Sequence, residues 1–400
     1  MAMEKGGVLI MNSIELIELI GRGEDSCTQF KRNQEVTNAK SLVGEMVAFA
    51  NSKGGRLLIG VDDSGSVIGV APDDIRRINQ IISDAATDFI RPSINPKIDN
   101  VIIDEKLVMV INIPEGISKP YMDNEGVFWV KSAANKRPVT SREEIQRMMQ
   151  RAGLVHADEV PVEGTTLDSL DDGHFNGFFQ KQHGRSVKQA LEDSGLTMAR
   201  LLNNLGLAKD ETLNLAGLLL FGRDPQRYRP AFVVKAVSFV GNDPAGVKYR
   251  DSEDIGGCLR DLHTRTMSFI TRNLRRLQSD KDFNTEGDLE IPAVAIEELV
   301  VNMLLHRDYF ISAPWRIMIF DNRIELISPG ALPNNLTIEN ISNGVSVIRN
   351  PLIASFATKE LPYRGIGTGI LRALALVPDF KLETDYERNL FMARMARKAE

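Results

Sequence analysis

Apolar residues recur along this chain with two spacings, and the switches between them mark out its elements. In NSIELIELIGRG, Asn12 or Ser13 caps a helix with Ile14, Leu16, Ile17 and Ile20 apolar, ended by Gly21 and Gly23. GRGEDSCTQFKRN, Gly21 to Asn33, loses that period and predicts an extended segment dense in Glu24, Asp25, Gln29, Lys31 and Arg32. NAKSLVGEMVAFANSKGG places Leu42, Val43, Met46, Val47, Phe49 and Ala50 at helical spacing and stops at Gly54 and Gly55. RLLIGV reads as a buried strand, turned through Asp63, Ser64 and Gly65 into a second. A helix over Asp73 to Phe89, a strand pair (KIDNVIID and LVMVINIP) and a further strand (GVFWVK) follow. A helix capped by Ser141 to Glu144 and closing near Arg151 completes an α+β domain over residues 1–151.

Residues 152–167 hold no apolar period, and their Pro, Gly and acidic residues predict a linker. A helical middle region comes next, with helices around Leu167 to Gln182, Ser186 to Glu192 and Met198 to Leu205. The apolar LNLAGLLLFG, the strand AFVVKAVSFVG and an amphipathic helix from about Gly256 to Leu277 lead to a third unit, with its core at about 290–400. The expected class is α+β and multidomain, without internal repeats.

Composition changes this picture little. Hydrophobic residues make up 43% and charged residues 26% of 400, enough for several cores. The net charge of -6 supplies no general basic field for a polyanion, and residues 1–151 carry 19 Lys and Arg against 21 Asp and Glu. Any nucleic-acid contact must therefore be local. Two cysteines, Cys27 and Cys258, fit no metal spacing or disulfide framework. No apolar run is long enough to cross a bilayer and the start has no signal-peptide pattern, so the expected address is the cytoplasm, with no membrane partner.

The sharpest chemistry lies in IPAVAIEELVVNMLLHRDYF. Ala295, Ile296, Leu299, Met303 and Leu304 mark a helix packed on a core, while Glu298 and Asn302 stack one turn apart on one face. A carboxylate and a carboxamide so placed can hold an attacking water and a metal-bound phosphate together; on an exposed stripe the same pair is commonplace. An apparent hairpin, PWRIMIFDNRIELI with Asp321 and Asn322 as its turn, follows, then SPGALP, then RGIGTGI. Gly365, Gly367 and Gly369 alternate at a helix start, where unshielded amides can approach phosphate oxygens. No Gly-Lys dipeptide exists, which excludes a P-loop.

Glu298-x-x-x-Asn302, Ser328-Pro329-Gly330 and Gly365-x-Gly367-x-Gly369, in that order, resemble the ATP-binding fold shared by gyrase, MutL and histidine kinases. The resemblance implies ATP and Mg as cofactors, Asn302 as a ligand of the magnesium ion, Glu298 as the general base, Gly330 under the adenine and the three glycines along the phosphates. It places Ser328 where the superfamily usually has an Asp reading the adenine amino group; a Ser accepts that hydrogen bond without charge. Arg307 either touches phosphate or forms a surface ion pair. A lid over about Asn334 to Arg364, with Arg349, Lys359 and Arg364 as phosphate candidates, would couple nucleotide closure to homo-oligomer formation.

DSCTQFK, EMVAFANSKGGRLLIGVDDSGSVIGV, LAGLLLFGRDPQRYRP, EELVVNMLLHRDY and RIELISPGALP further resemble a bacterial family of transcriptional regulators and RecG-related ATP-binding proteins, over about residues 13–375. Its N-terminal module is the AlbA-type domain shared with Schlafen proteins, whose nucleases are thought to hold a divalent metal on three carboxylates. Here Glu24 matches the first and Asp62 the third, but Gln29 stands at the second and removes a charge. Lys31, Arg32, Lys131, Lys136 and Arg137 form a phosphate track if they converge, and are solvated surface if they do not. The reading that follows is an ATP-binding, nucleic-acid-associated regulator, DNA ahead of RNA. The alternatives are a metal-dependent nuclease centred on Glu24 and Asp62, which Gln29→Glu would restore, and an assembly scaffold with a vestigial pocket.

Overall fold

A computed structural model of the chain describes residues 12–278, 287–333, 336–377 and 379–397. It divides into two compact units, Met1–Leu154 and Val155–Glu400. Helices and strands are mixed in both, and the class is α+β. Among the described residues no helix is long and apolar enough to cross a membrane.

The first unit is built on a four-stranded sheet in the order Thr28–Lys31, Gly55–Ile59, Lys106–Ile113, Lys97–Ile103. The first pair is parallel and the others antiparallel. A parallel pair requires a crossover, and the helix Lys40–Asn51 supplies it. Leu57, Ile59, Met109 and Ile111 face the core formed with the helices Lys40–Asn51 and Pro72–Asp88. Leu58, Val108 and Val110 face the opposite layer, where Leu16 and Ile20 of the helix Ser13–Gly21 pack. Burial on both faces explains why RLLIGV is a continuous apolar run. Gly55 is obligatory at the strand's start, because a β-carbon there would overlap the Phe49 ring. The expected second strand after RLLIGV is only a bridge, Val61 to Val67. Asp62 instead closes a turn, accepting from Ser64 N at 3.0 Å and Ser66 N at 2.9 Å.

A separate hairpin, Trp129–Ser132 with Asn135–Pro138, is fastened to the helix Lys40–Asn51 by charge. Buried Glu45 meets Lys131 Nζ at 3.6 Å and Lys136 Nζ at 2.9 Å. The Lys131 side chain, 2% exposed, also donates to Ala134 O at 2.6 Å, with its Nζ 4.8 Å from the Phe49 ring centroid.

In the second unit six strands form one sheet: Tyr249–Ile255, Val234–Phe239, Trp315–Ile319, Arg323–Pro329, Leu390–Ala396, Phe380–Asp385. All pairs are antiparallel except Val234–Phe239 with Trp315–Ile319. The middle region is thus no separate layer, and the core does not begin near residue 290. Its strands extend the same sheet, and its helix Leu259–Asn273 packs on Ala293–His306. That helix is shorter than expected, since Arg276–Leu277 leaves it to pair with Asp288–Leu289. One core runs from Ala157 to Met395.

The stretch 152–167 is not a free linker either. Val162 N donates to Leu213 O at 2.8 Å, Leu215 N to Val160 O at 3.0 Å, and Val162 and Thr165 are buried. Fully buried Asp158 accepts from Ile353 N at 2.9 Å, in the first turn of the helix Pro351–Glu360. Burial pushes the Asp158 carboxyl up to about 6, against that hydrogen bond.

Removing the charge of Glu45 leaves a buried lysine without its anion. Glu45→Gln should therefore destabilise the first unit by about 3 kcal/mol, read by urea unfolding with hydrogen exchange of the helix Lys40–Asn51; a loss near zero would show the network to be idle. For Asp158 the folded state holds a proton that the unfolded chain has released, so its contribution is full below pH 4 and lost as pH rises through 6. Asp158→Asn should remove that decline. Relative to wild type, the variant should gain on the order of 2 kcal/mol between pH 4 and pH 7.5, measured by urea unfolding at both values.

Candidate nucleotide site

The helix Ala293–His306 is buried along Ala295, Ile296, Leu299, Val300, Val301, Met303, Leu304 and Leu305. Glu298, Asn302 and His306, four residues apart, form a polar stripe beside it, and all three line a cavity of about 1100 Å3 including its mouth. The strand Arg323–Pro329 brings Leu326, Ser328 and Gly330 to it, and Phe391 and Ala393 come from the neighbouring strand. Leu336, Ile341, Val345 and Val347 close it from the lid, whose expected start at Asn334 lies outside the described residues. Gly365, Gly367 and Gly369 complete the wall before the helix Gly369–Leu376. The cavity is therefore lined by apolar side chains with polar groups among them from the helix, the strand, the lid and the glycine loop.

Asn302 Nδ2 donates to Glu298 O at 2.7 Å and to Glu298 Oε1 at 3.2 Å. A carbonyl oxygen only accepts, so this fixes the amide's orientation and leaves Oδ1, a hard oxygen, for a cation. Gly365 and Gly367 take φ of 69° and 77°, which favours glycine. A β-carbon at Gly367 would stand 2.8 Å from Gly344 O, and one at Gly369 would overlap the Glu298 carboxylate. Ser328 Oγ donates towards Met303 O at 3.4 Å and keeps its acceptor capacity. This set of groups fits a magnesium-bound nucleotide: one amide oxygen, one carboxylate, one hydroxyl acceptor and a bare backbone loop.

Gly330, at φ 105°, is required because a β-carbon there would overlap the Arg349 guanidinium. Arg349 clamps the strand's end to the helix's end, donating to Ala331 O at 2.7 Å and His306 O at 3.2 Å. Burial and that neighbouring charge push His306 down to about 4, so it is neutral near pH 7. Of the three lid cations expected at phosphate, Arg349 and Arg364 line the cavity and Lys359 does not.

Arg307 is at neither expected place. The helix ends at His306 and the chain turns inward, burying the guanidinium 4.4 Å from the Trp315 ring centroid, 4.5 Å from Phe232 and 5.5 Å from Tyr309. It donates to Ile311 O at 2.6 Å, and burial lowers it to about 10, still charged at neutral pH.

In the first unit Glu24 accepts from Gln29 Nε2 and, at 2.7 Å, from Phe30 N, while Gln29 Oε1 accepts from Lys131 Nζ at 2.9 Å. Asp62 is engaged in its own turn and faces Arg32 at 3.9 Å. Glu24 and Asp62 share no partner, and no group of three or more His, Cys, Asp or Glu among the described residues is placed to hold a metal. An amide stands beside Glu24, and Asp62 is held by the amides of its own turn. The expected cation track is neutralised. Lys31 faces Glu35 at 3.8 Å, Arg137 meets Glu144 at 2.6 Å, and Lys131 and Lys136 belong to Glu45. Sequence reasoning also missed Arg372, which meets Glu298 at 2.9 Å from a helix over seventy residues away. His306 was in reach of the same four-residue spacing that singled out Glu298 and Asn302.

Residues 24–140 match the Schlafen AlbA_2 family model, and residues 313–396 match one described as "Putative ATP-dependent DNA helicase recG C-terminal". No curated protein matches the chain. Among solved structures, the DIP2311 protein of Corynebacterium diphtheriae is 19% identical over 93% of this chain, with a TM-score of 0.43. The chain spans 65% of that protein's length. The N-terminal domain of a "Putative ATP-dependent DNA Helicase RecG-related Protein" from Nitrosomonas europaea is 23% identical, covering 33% of this chain and 97% of its own, with a TM-score of 0.24. These two overlaps are too loose to carry a fold assignment. The chain thus carries a segment similar to the Schlafen AlbA_2 family in its first unit and one similar to the RecG-related ATPase-type family in its second, a pairing that suggests a nucleic-acid-associated, ATP-binding protein.

Proposed function

We propose that the second unit binds ATP with magnesium in the gyrase-like manner, and that nucleotide occupancy controls assembly and nucleic-acid contact by the first unit. The observation that carries this reading is the Asn302 carboxamide in the cavity wall, whose Nδ2 is engaged by Glu298 O so that Oδ1 is left to accept or to ligate. Bound Mg-ATP would supply the phosphoanhydride and the charge neutralisation that slow hydrolysis needs. Asn302 offers the metal an oxygen. Glu298 accepts a hydrogen bond from water and takes its proton once its carboxylate is free. Ser328 accepts from an exocyclic amino group, and the bare backbone at Gly365 and Gly367 admits phosphate oxygens closely.

Val345, Ile348, Ile366 and Leu371 are exposed in and beside the lid, where closure would offer apolar surface to a second copy. In the first unit Arg32 and Arg137, nearly half exposed, can exchange a carboxylate for a phosphate; Lys131 and Lys136, held by Glu45, serve the fold instead. A transcriptional or defence-related regulator, acting on DNA ahead of RNA, is the role this assembly supports.

Calorimetry with ATP and magnesium tests the site. Asn302→Ala should weaken ATP binding by at least about tenfold, the loss of one charge-assisted contact. Glu298→Ala should retain binding and lose any phosphate release. Unaltered ATP affinity in Asn302→Ala would remove the metal-ligand role.

A further inference from the structure

The contact between Glu298 and the helix Gly369–Leu376 is closer than a cavity wall needs. Arg372 Nη2 lies 2.9 Å from Glu298 Oε2, and Asn302 Nδ2 approaches Oε1 at 3.2 Å. Each carboxylate oxygen accepts one donor, so the carboxylate is held toward Arg372 and Asn302 and is not free to turn to a water at the phosphate. Gly369 is the residue that permits it, since any side chain there would overlap the carboxylate. Arg372 stands in the first turn of the helix, its N donating to Thr368 O at 3.1 Å, directly after the loop of Gly365 and Gly367. Its other guanidinium nitrogens make no hydrogen bond among the described residues. The Glu298 side chain is 13% exposed and that of Arg372 43%. A pair with one partner so open is weak, and a polyphosphate arriving at the loop can displace the carboxylate.

We propose that Arg372 is the sensor of the terminal phosphate, and that it withholds Glu298 until that phosphate takes its guanidinium. This rests on the nucleotide reading of the cavity and adds a positioning residue to it. A terminal phosphate draws Arg372 away and frees Glu298 Oε2 for water. A diphosphate, ending one group short, leaves the ion pair closed. The site therefore discriminates ATP from ADP through a residue that contacts neither base nor metal.

Calorimetry on the full chain with magnesium, using ADP and a non-hydrolysable β,γ-imido ATP analogue, tests this without turnover. Wild type should prefer the analogue. Arg372→Ala should lose that preference by about tenfold while its ADP affinity stays within about twofold, and Arg372→Lys should recover part of it. Glu298→Ala, which releases the guanidinium, should tighten analogue binding, and should not do so when combined with Arg372→Ala. An Arg372→Ala protein that keeps the wild-type ratio overturns the sensor and leaves the nucleotide site standing. Loss of both nucleotides by Arg372→Ala and Arg372→Lys alike marks a structural residue and overturns it too. Wild type that binds neither nucleotide removes the nucleotide reading and the sensor together.

Discussion

A helix closed by apolar contact on nearly every side can carry polar side chains only where a cavity or a partner receives them, because an unpaired polar group in a core is costly. Ala293–His306 is such a helix, and the second unit is arranged around that constraint. Its open stripe holds Glu298, Asn302 and His306, all facing the cavity. Arg372 comes to Glu298 from the helix Gly369–Leu376, and Arg349, midway along the lid, donates to the backbone carbonyl of His306. Asn302 turns inward onto its own helix and leaves one oxygen outward. The cavity is thus what remains between a buried helix and the segments that complete its polar face.

That helix is held in place by a sheet wider than the ATPase-type match itself. The parallel pairing of Val234–Phe239 with Trp315–Ile319 joins the middle region to the C-terminal strands. Trp315 is fully buried at this junction, with Nε1 donating to Met303 O at 3.0 Å. Arg307 enters the same place, its charge lying against three aromatic faces in place of a carboxylate. Next to it, Tyr309 Oη donates to Leu304 O at 2.9 Å, tying the segment after the helix back to its last turn. Desolvated polar groups of this kind hold the helix end in one position, which in turn places Asn302 and His306.

The first unit shows how charge can mislead when read along a chain. KSAANKR reads either as part of a phosphate track or as solvated surface, yet Lys131 and Lys136 turn to Glu45, to which spacing assigns no role. A buried carboxylate needs cations, and two lysines on a hairpin meet that need before any ligand does. Gln29 completes the arrangement by bridging Glu24 and Lys131, so the amide that weakens a metal site also serves as a neutral connector between opposite charges. Asp62 follows the same rule on a smaller scale: a short acidic side chain in a turn is satisfied by its nearest amides.

What the residues alone determined was local. The periods of Leu42 to Ala50 and Ala295 to Leu304 specified helices, the Asp321 and Asn322 turn specified a hairpin, and the order of short motifs located Glu298, Asn302, Ser328 and the glycines, which the fold does bring to one cavity. The helices and the hairpin follow from interactions between residues a few positions apart, and so are written in spacing; the cavity residues were legible through the resemblance that the order of the motifs carries. Tertiary structure decided everything that depends on distant partners. It placed Arg372 on Glu298, Arg307 among aromatic rings and Lys131 under Glu45, and it made a Pro- and Gly-bearing stretch at 152–167 part of a core. Whether a charge becomes a ligand, a core ion pair or a lock on another residue depends on which group across the fold reaches it first, and that is a property of packing.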